Sequence, residues 1–261
     1  MDLDVLTGLQ AGQRVLLVTR CAELSGEVTK VGGRPPAIGL YGSVMMVVCL
    51  MRKNVTQEMV GAIFGVSQST VSRRWDLLRP IIKRAVAGFI PHPREVAGRG
   101  TLLVDGTITP TWDWKHVPDL FSGKANYAGM NVQIAASTEG RVAAVGPIAV
   151  HGARHDAYAF EASGLKQIIA EFSAVGDLGY VGVDGITIVP IKRAAQCEIR
   201  DCDKEFNIEL SKIRALVEQA VATLKGWRML SQEGGRYRAP IEKFEETLQA
   251  ITGLLFFRAF A

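Results

Sequence analysis

The stretch "TLLVDGT", residues 101–107, separates a helical first part of the chain from a second part in which strands and helices alternate. Its short apolar run predicts a β-strand that ends at Asp105. Gly106 follows directly and leaves backbone room around that carboxylate, although an Asp-Gly pair is equally typical of a simple turn. The stretch therefore predicts either a turn or a carboxylate at a strand end, where open α/β sheets bind ligands.

The chain downstream of this strand has the element order of an α/β fold. Each run is assigned from its apolar period and from the turn residues at its ends. The expected elements are strands at residues 129–137 and 141–150, a helix at 156–172, a strand ending at Asp177, a helix at 214–227 and a closing helix at 241–260. Asp156, the first residue of its helix, is expected to act as the helix cap.

Composition and charge narrow the class of protein. The 261 residues are 48% hydrophobic, which suffices for one or two substantial cores. The sequence contains no apolar run of about 18 residues and no secretory signal at its N-terminus, which predicts a soluble cytoplasmic protein. Four cysteines lack the spacing of a disulfide framework and are expected to be reduced thiols.

Positive charge is concentrated in the first part of the chain. Residues 1–98 contain 12 Lys and Arg against 7 Asp and Glu, although the formal net charge of the whole chain is only +4. Within residues 73–84 there are five basic residues and a single acid, Asp76. Such a local positive field suits a partner that carries phosphates, although a solvated helix face has the same composition.

The segment 54–86 resembles the DNA-binding arrangement of two helices joined by a tight turn. It is expected to form three helices, with N-caps at Thr56 and Ser67. The spacing also fits a helix-turn-helix, which needs a small residue where the helices touch, a residue with positive φ in the turn and an apolar anchor. Those three positions are Gly61, Gly65 and Val71.

The second helix of this motif is expected to present short polar and basic side chains to solvent. Such side chains at the start of a helix suit base edges and phosphates in a major groove. An ordinary helical hairpin with a glycine turn is the alternative. The candidate DNA-binding residues are Gln68, Ser69, Thr70, Ser72 and Arg73.

A third carboxylate lies in the segment "RALVEQAVATLKGW", residues 214–227. At about 100° per residue, Arg214, Glu218 and Lys225 form one stripe along the edge of an apolar helix face. An intrahelical ion pair worth a few tenths of a kcal/mol would explain the stripe. The alternative is that Glu218 reaches a site built by the strands.

Three converging carboxylates would require a cation. If the strands of Asp105 and Asp177 are neighbours, these side chains meet, and Glu218 from a packed helix completes the group. Carboxylates brought together repel one another and acquire raised pKa values unless cations separate them. Oxygen ligands suit Mg²⁺ or Mn²⁺, and a pair of such ions supports displacement at a phosphodiester.

The residues also resemble a known family, the DDE superfamily endonucleases, in particular bacterial insertion-sequence transposases related to the Harbinger group. The resemblance extends over nearly the whole chain, and its most specific part is the spacing Arg214, Glu218, Lys225. The family has a tyrosine three residues before that arginine, where this chain has Ser211. The segments that carry the resemblance are residues 33–73, "VDGT", "GMNVQ", "RHDAYAF", "GDLGYVG" and "IRALVEQAVATLKGWRML".

The resemblance implies an RNase H-like mixed sheet flanked by helices, preceded by an all-α region with a helix-turn-helix. The corresponding domains are residues 1–92, with the motif at about 56–75, and residues 99–261 as the catalytic domain. It implies Asp105, Asp177 and Glu218 as the ligands of two Mg²⁺ ions, with Mn²⁺ as a substitute. Asp156 is the alternative second aspartate.

The resemblance further implies a transposase that cuts and rejoins double-stranded DNA at element ends and at a target. Arg214 and Lys225 are expected to contact DNA phosphates, and a homodimer on DNA and a place at the bacterial nucleoid follow from the family. A catalytically inactive or domesticated relative that only binds DNA is the alternative.

Overall fold

The computed structural model describes residues 2–25, 37–98, 100–112, 114–193 and 198–261. The chain divides into two compact units. One unit consists of the residues up to Ile90 together with Lys225–Ala261, and the other is Pro91–Leu224. Within the described residues, no helix is both long enough and apolar enough to cross a bilayer.

The α-helices of the described chain are numbered here in chain order. They are α1 (Leu3–Thr7), α2 (Ala11–Ser25), α3 (Leu40–Lys53), α4 (Gln57–Phe64), α5 (Gln68–Val86), α6 (Pro93–Ala97), α7 (Asp156–Ala162), α8 (Leu165–Ile168), α9 (Asp201–Arg214), α10 (Val217–Lys225) and α11 (Phe244–Phe260).

The strands and the 3-10 turns complete the description. The strands are β1 (Leu102–Pro110), β2 (Phe121–Ser122), β3 (Tyr127–Ala136), β4 (Val142–Val145), β5 (Val150–His151) and β6 (Ala174–Val175). The 3-10 turns are Ala87–Phe89, Leu178–Tyr180, Arg228–Leu230 and Ile241–Lys243.

Helix α5 is the centre of the first unit, where it packs against α2, α3, α4 and α11. It continues through Pro80, so residues 54–86 form two helices rather than the three expected. Proline inside a helix costs about 3 kcal/mol, whereas burying one large apolar side chain contributes about 1.5–3 kcal/mol. The burial of Trp75, Leu78, Ile81 and Ile82 offsets the proline.

The helix-turn-helix forms as its spacing predicts. The side chains of Thr56 and Ser67 cap α4 and α5 by accepting backbone N–H groups of Met59 and Thr70. Gly65 occupies the turn with φ +69°. Gly61 is the close-contact position, because a Cβ there would lie only 2.6 Å from the carbonyl oxygen of Val66. The turn is therefore fixed by two glycines for two different reasons.

The second unit is built on a mixed sheet whose long strands are β1 and β3. These pair antiparallel over their whole length, from Leu103 with Ala136 to Pro110 with Gly129. On its other edge β1 pairs parallel with β6. Strands β4, β5 and β2 pair along the outer edge of β3. The expected class, a mixed α/β sheet flanked by helices and preceded by an all-α region, is confirmed.

Strand β1 runs past Asp105, which corrects the expectation that the strand ends there. The antiparallel partner β3 supplies hydrogen-bonding groups as far as Pro110, and the β-branched run Thr107–Thr109 favours an extended chain. The parallel partner is much shorter, and its pairing with β1 stops at Leu103. Asp105 therefore lies in the middle of its strand but beyond the end of the parallel ladder.

The expected helix over 214–227 is also interrupted. Helix α9 ends at Arg214 and α10 begins at Val217. At this break the N–H groups of Leu216 and Glu218 donate to carbonyls three residues before them, those of Ile213 and Ala215. A 3-10 turn advances about 120° per residue, whereas an α-helix advances about 100°. The turn therefore removes the single stripe predicted for Arg214 and Glu218.

We predict that Gly61→Ala destabilises the helix-turn-helix. Its Cβ must displace the Val66 carbonyl, and overpacking of this kind costs about 1–3 kcal/mol. Thermal unfolding should show a Tm lower by several degrees. Gly12→Ala is the matched control, since Gly12 is also helical but a Cβ there meets nothing within 4 Å. A Tm for Gly61→Ala at or above that of the wild type would contradict this account of the turn.

Candidate active site

Asp105 and Asp177 lie at the same level beyond the parallel ladder of β1 and β6. Strand β6 ends at Val175, so Asp177 lies in the turn after it and not at the strand end that the sequence predicted. The last pairs of the ladder are Leu102 with Ala174 and Leu103 with Val175. In each segment the aspartate therefore comes two residues after the last residue that takes part in the β1–β6 ladder. Since adjacent strands are about 4.7–4.9 Å apart, this register brings the two backbones close together at the sheet's edge. The expected convergence of the two carboxylates requires the strands that carry or precede the aspartates to be neighbours, and β1 and β6 are neighbours in the sheet.

Asp177 is held by the turn that it starts. Its Oδ1 accepts the backbone N–H of Gly179 at 2.7 Å, which caps the 3-10 turn Leu178–Tyr180. Its Oδ2 lies 3.9 Å from Nη2 of Arg214. The guanidinium thus approaches Asp177, whereas the sequence stripe suggested Glu218 as its partner. The Nε of Arg214 is buried and, among the described residues, has no hydrogen-bond partner.

Asp156, at the start of α7, places its carboxylate close to that of Asp177. The cap of this helix is His155, whose Nδ1 accepts the N–H of Tyr158 at 3.2 Å, so the expected capping role of Asp156 is wrong. The imidazole takes the capping N–H, which leaves the Asp156 carboxylate to face the sheet. A Cβ placed on Gly179 would lie 2.9 Å from Oδ1 of Asp177 and 3.7 Å from Oδ2 of Asp156. The two carboxylates therefore border the same small space.

Gly106 has a clear steric purpose beside Asp105. A Cβ at this position would overlap Oδ1 of Asp156 and would lie 2.5 Å from Nε2 of Gln133. The glycine is in an extended strand, so backbone freedom is not what the position needs. It instead leaves space for the carboxylate that packs onto β1.

A chain of buried hydrogen bonds fixes the orientation of Asp156. The hydroxyl of Tyr180 donates to Oε1 of Gln133 at 2.7 Å, and Nε2 of Gln133 donates to Oδ1 of Asn131 at 2.8 Å. Nδ2 of Asn131 then donates to Oδ1 of Asp156 at 2.9 Å. Tyr180, Gln133 and Asn131 are all at most 2% exposed. Each buried polar group is paired, so the chain rigidly connects the Asp177 turn to Asp156.

Sequence reasoning did not identify this chain of hydrogen bonds. The signal that was present is the pair Asn131 and Gln133, two polar residues with period 2 inside an otherwise apolar strand. Residues two apart on a strand point to the same face. A pair of amides on a buried face must find partners, and that requirement indicates a polar site.

The aspartates act on one another electrostatically. Burial raises the pKa of Asp105 to about 6, and the charges on Asp177 and Asp156 add to this effect. The Gly106 N–H and the Arg214 guanidinium oppose it. Asp156 is also the main cause of a raised pKa at Lys124, whose Nζ lies 3.4 Å from Oδ2 of Asp156. Two positively charged side chains, those of Arg214 and Lys124, therefore interact with the three carboxylates.

Glu218 does not join this group in the structure. It is exposed in the first turn of α10, and it is not among the charges that shift the pKa of Asp105. Within the described ranges, no three His, Cys, Asp or Glu side chains are arranged to hold a metal ion. The structure thus brings together Asp105, Asp156 and Asp177, whereas among the described residues Glu218 makes no contact with this group and is exposed.

The chemistry of the aspartate group suits a hard divalent cation. The available donors are carboxylate oxygens, and amide oxygens lie directly behind them. The raised pKa of Asp105 shows that its negative charge is only partly compensated by Arg214 and Lys124. A divalent cation between the carboxylates would favour the charged form of Asp105. The aspartates would hold such an ion.

The remaining candidate residues lie on α5, except Lys225, which is the last residue of α10. Gln68, Ser69 and Arg73 are exposed, while Thr70 and Ser72 are half-buried. Nε2 of Gln68 donates to Oε1 of Gln57 at 2.6 Å, and Nε of Arg73 donates to the Ser69 carbonyl at 3.2 Å. These contacts hold a polar surface at the start of the second helix of the motif.

The comparisons with known proteins match both parts of this description. A family model described as "DDE superfamily endonuclease" matches residues 104–255. A second, described as "Helix-turn-helix of DDE superfamily endonuclease", matches residues 43–86. The chain belongs to the DDE superfamily endonucleases. The resemblance seen in the sequence is thereby confirmed, and the chain is an enzyme of a DNA endonuclease class that depends on divalent metal ions.

Two curated relatives extend over most of the chain. A protein of Streptomyces albus G named "Putative transposase for insertion sequence element IS112" is 30% identical over 225 residues, which cover 86% of this chain and 83% of the relative. A protein of Microchaete diplosiphon named "Probable transposase for insertion sequence element IS702" is 26% identical over 236 residues, with the same coverage.

We predict that Asp105→Asn stabilises this endonuclease at neutral pH. The folded-state pKa of about 6 lies above the ordinary value of 3.8, so the folded state binds the proton more tightly than the unfolded chain. Wild-type stability therefore falls as the pH rises from about 4 to 6, and an uncharged Asn avoids that loss. The expected gain is about 1–3 kcal/mol at pH 7.5 and less at pH 5.

The measurement is thermal unfolding in EDTA at both pH values. Asp184→Asn is the control, because the Asp184 side chain is 90% exposed and its loss should change stability by about 0.5 kcal/mol or less. Equal stability of Asp105→Asn and wild type at both pH values would show that burial does not strain Asp105.

Proposed function

We propose that the chain is an insertion-sequence transposase that cleaves and transfers DNA strands with Asp105, Asp177 and Glu218 as its metal ligands. The observation that carries this proposal is that Asp105 and Asp177 each follow the parallel ladder of β1 and β6 by two residues, Asp105 within β1 and Asp177 in the turn after β6. The similarity to proteins named as insertion-sequence transposases, over 86% of the chain, supports the biological reaction. We further propose Mg²⁺ as the ion, two ions per site, and Mn²⁺ as a substitute.

The residues of this chain would divide the work as follows. Asp105 and Asp177 hold the cations and carry the charge that binds them. When bound, the cations activate a water or a 3′-hydroxyl and neutralise charge at the leaving oxygen. Asn131, through its hydrogen bond, keeps the Asp156 carboxylate oriented beside them. Arg214 restrains Asp177 and offers a positive charge to a DNA phosphate.

The choice between Asp177 and Asp156 as the second ligand is a matter of geometry. Asp177 is favoured because it continues a strand parallel to that of Asp105. Asp156 is the alternative because it borders the same space and is held more firmly. Glu218 is proposed as the third ligand on the strength of the family spacing to Arg214 and Lys225.

The proposal extends to DNA recognition and assembly. Gln68, Ser69, Thr70, Ser72 and Arg73 would read the element ends as a recognition helix, and Arg214 and Lys225 would contact phosphates near the cleaved bond. We propose a homodimer on DNA, because two element ends must be joined in one complex, and a place at the bacterial nucleoid. The domains remain proposed as 1–92 and 99–261, although the compact unit of the N-terminal helices also includes residues 225–261.

Nicking of a supercoiled plasmid that carries the flanks of the source locus tests the mechanism. Wild type and the variants Asp105→Ala, Asp156→Ala, Asp177→Ala and Glu218→Ala are compared with Mg²⁺, Mn²⁺ or EDTA. We expect metal-dependent cleavage that is lost in the Asp105, Asp177 and Glu218 variants, with binding to the flanks retained. Loss in Asp156→Ala together with full activity of Asp177→Ala would move the second ligand to Asp156.

A second function is favoured by one observation. Glu218 is exposed and, among the described residues, makes no contact with the aspartates, and a relative that binds DNA without cutting it would not need that contact. The same assay separates the two functions. Specific binding to the flanks without cleavage by wild type would support the DNA-binding protein, whereas metal-dependent cleavage that needs Glu218 excludes it.

We predict that Arg73→Ala weakens binding to the element ends without removing cleavage chemistry. Arg73 is exposed on the first turns of α5, and a lost phosphate contact reduces the salt dependence of binding by about one counterion. Fluorescence anisotropy on flank duplexes at several salt concentrations measures both quantities. Arg258→Ala, an exposed arginine on α11 of the same unit, is the control. Unchanged affinity of Arg73→Ala would remove α5 from the DNA interface.

A further inference from the structure

A cavity of about 420 Å³ lies beside the aspartates, within the second unit. Its walls are the middle of β1, the turn after β2 and the segment that leads into α7. Asp156 and Gly106 border both this cavity and the carboxylate group, so the two spaces are continuous. Of the candidate residues of the sequence, Asp156 lines it, and that residue is a candidate for metal binding and not for the cavity. The lining residues that matter are Ile108, Lys124, Tyr127, Asn131, Arg154 and Asp156.

The rim of the cavity is cationic. Lys124 and Arg154 line it together with His155, and Asp156 is the only acidic residue in its lining. Arg154 is already oriented, because its Nη2 lies 2.7 Å from Oδ2 of Asp119 and its guanidinium lies 5.6 Å from the ring centre of Tyr158. An anionic ligand in the cavity would meet both positive side chains and would compete for them with the carboxylates of Asp156 and Asp119.

The floor of the cavity is rigid and polar, and one wall is apolar. Asn131 and Asp156 belong to the buried hydrogen-bond chain described above. The half-buried side chains of Tyr127 and Ile108 form the apolar wall, and the Tyr127 hydroxyl donates to the Ile108 carbonyl at 3.4 Å. An aromatic ring next to cations is the combination with which proteins bind single-stranded nucleic acid, through stacking and phosphate contacts.

We propose that this cavity binds one nucleotide of the DNA strand next to the cleaved phosphodiester, with Lys124 as its phosphate contact and Tyr127 as its stacking surface. The inference rests on the proposed function and deepens it. Lys124 is suited to the role because its Nζ, 3.4 Å from Asp156, stands between the cavity and the carboxylates. A phosphate held there would lie next to the reacting bond. The volume suits a ligand of nucleotide size.

The test measures binding of a fluorescein-labelled ten-residue oligothymidylate to the full chain in EDTA, by anisotropy at several salt concentrations. Lys124→Ala should weaken binding about fivefold and reduce the salt slope by about 0.7, the value for one phosphate contact on a single strand. Lys124→Arg should retain wild-type affinity. Lys212→Ala is the matched control, because Lys212 is an exposed lysine of the same unit that also pairs with one carboxylate, Glu209.

Tyr127 supplies a second variant pair. Loss of base stacking costs about 1–3 kcal/mol, so Tyr127→Ala should weaken binding about tenfold or more, whereas Tyr127→Phe should bind like wild type. Circular dichroism of both variants controls for folding. Oligothymidylate that binds Lys124→Ala as tightly as wild type, or that does not bind wild type, would overturn the inference.

The plasmid assay separates this inference from the proposed function. Wild type that nicks no plasmid but binds the oligonucleotide through Lys124 would remove the catalytic proposal and support the strand-binding cavity. Metal-dependent nicking by wild type together with a Lys124→Ala variant of unchanged affinity would remove the cavity proposal alone.

Discussion

The parallel pairing between β1 and β6 is the constraint on which the candidate site depends. It consists of only two residue pairs, yet it sets the level of Asp105, within β1, relative to Asp177, in the turn after β6. The antiparallel pairing of β1 with β3 is far longer and carries the stability of the sheet. Because the β1–β3 pairing stabilises the sheet, β6 can be short and can end where the chain turns at Asp177. The buried cluster around Leu102, Val104 and Ala174 locks this register from behind.

Burying the Asp105 carboxylate beside two other aspartates is electrostatically unfavourable, and neighbouring groups compensate part of that free energy. Burial raises the pKa of Asp105 to about 6, so its charged form is held at some expense near neutral pH. Arg214 and Lys124 offset part of the repulsion, one from the C-terminal end of α9 and the other from the turn after β2. At Asp156, the side-chain amide of Asn131 donates a hydrogen bond to the carboxylate and so takes the place of a water molecule. A pKa that burial and neighbouring charges shift in this way is typical of functional sites.

Features that depend on residues close together in the sequence were predicted correctly, whereas features that depend on distant residues were not. The caps at Thr56 and Ser67 and the turn at Gly65 depend on residues within a few positions, and all three were predictable. The end of β1 was not, because the length of that strand is set by β3, whose Gly129 pairs with Pro110 from 19 residues away. The break between Arg214 and Val217 was missed for a different reason. Periodicity assumes a constant angle per residue, and one 3-10 turn shifts every position after it. The amides Asn131 and Gln133 were visible as polar residues in an apolar strand, but their partners come from α7 and from the turn at Tyr180.

The exposed position of Glu218 is consistent with the charges around it. A fourth carboxylate beside Asp105, Asp156 and Asp177 would add repulsion to a group in which the pKa of Asp105 is already raised. Its entry becomes favourable only when positive charge enters with it, so Glu218 and a divalent cation are expected to join the site together. The 3-10 turn at residues 215–216 lies directly before Glu218, and it separates this residue from Arg214, which already contacts Asp177. We propose that Glu218 approaches the aspartates only together with a divalent cation, whereas Arg214 contacts Asp177 without one.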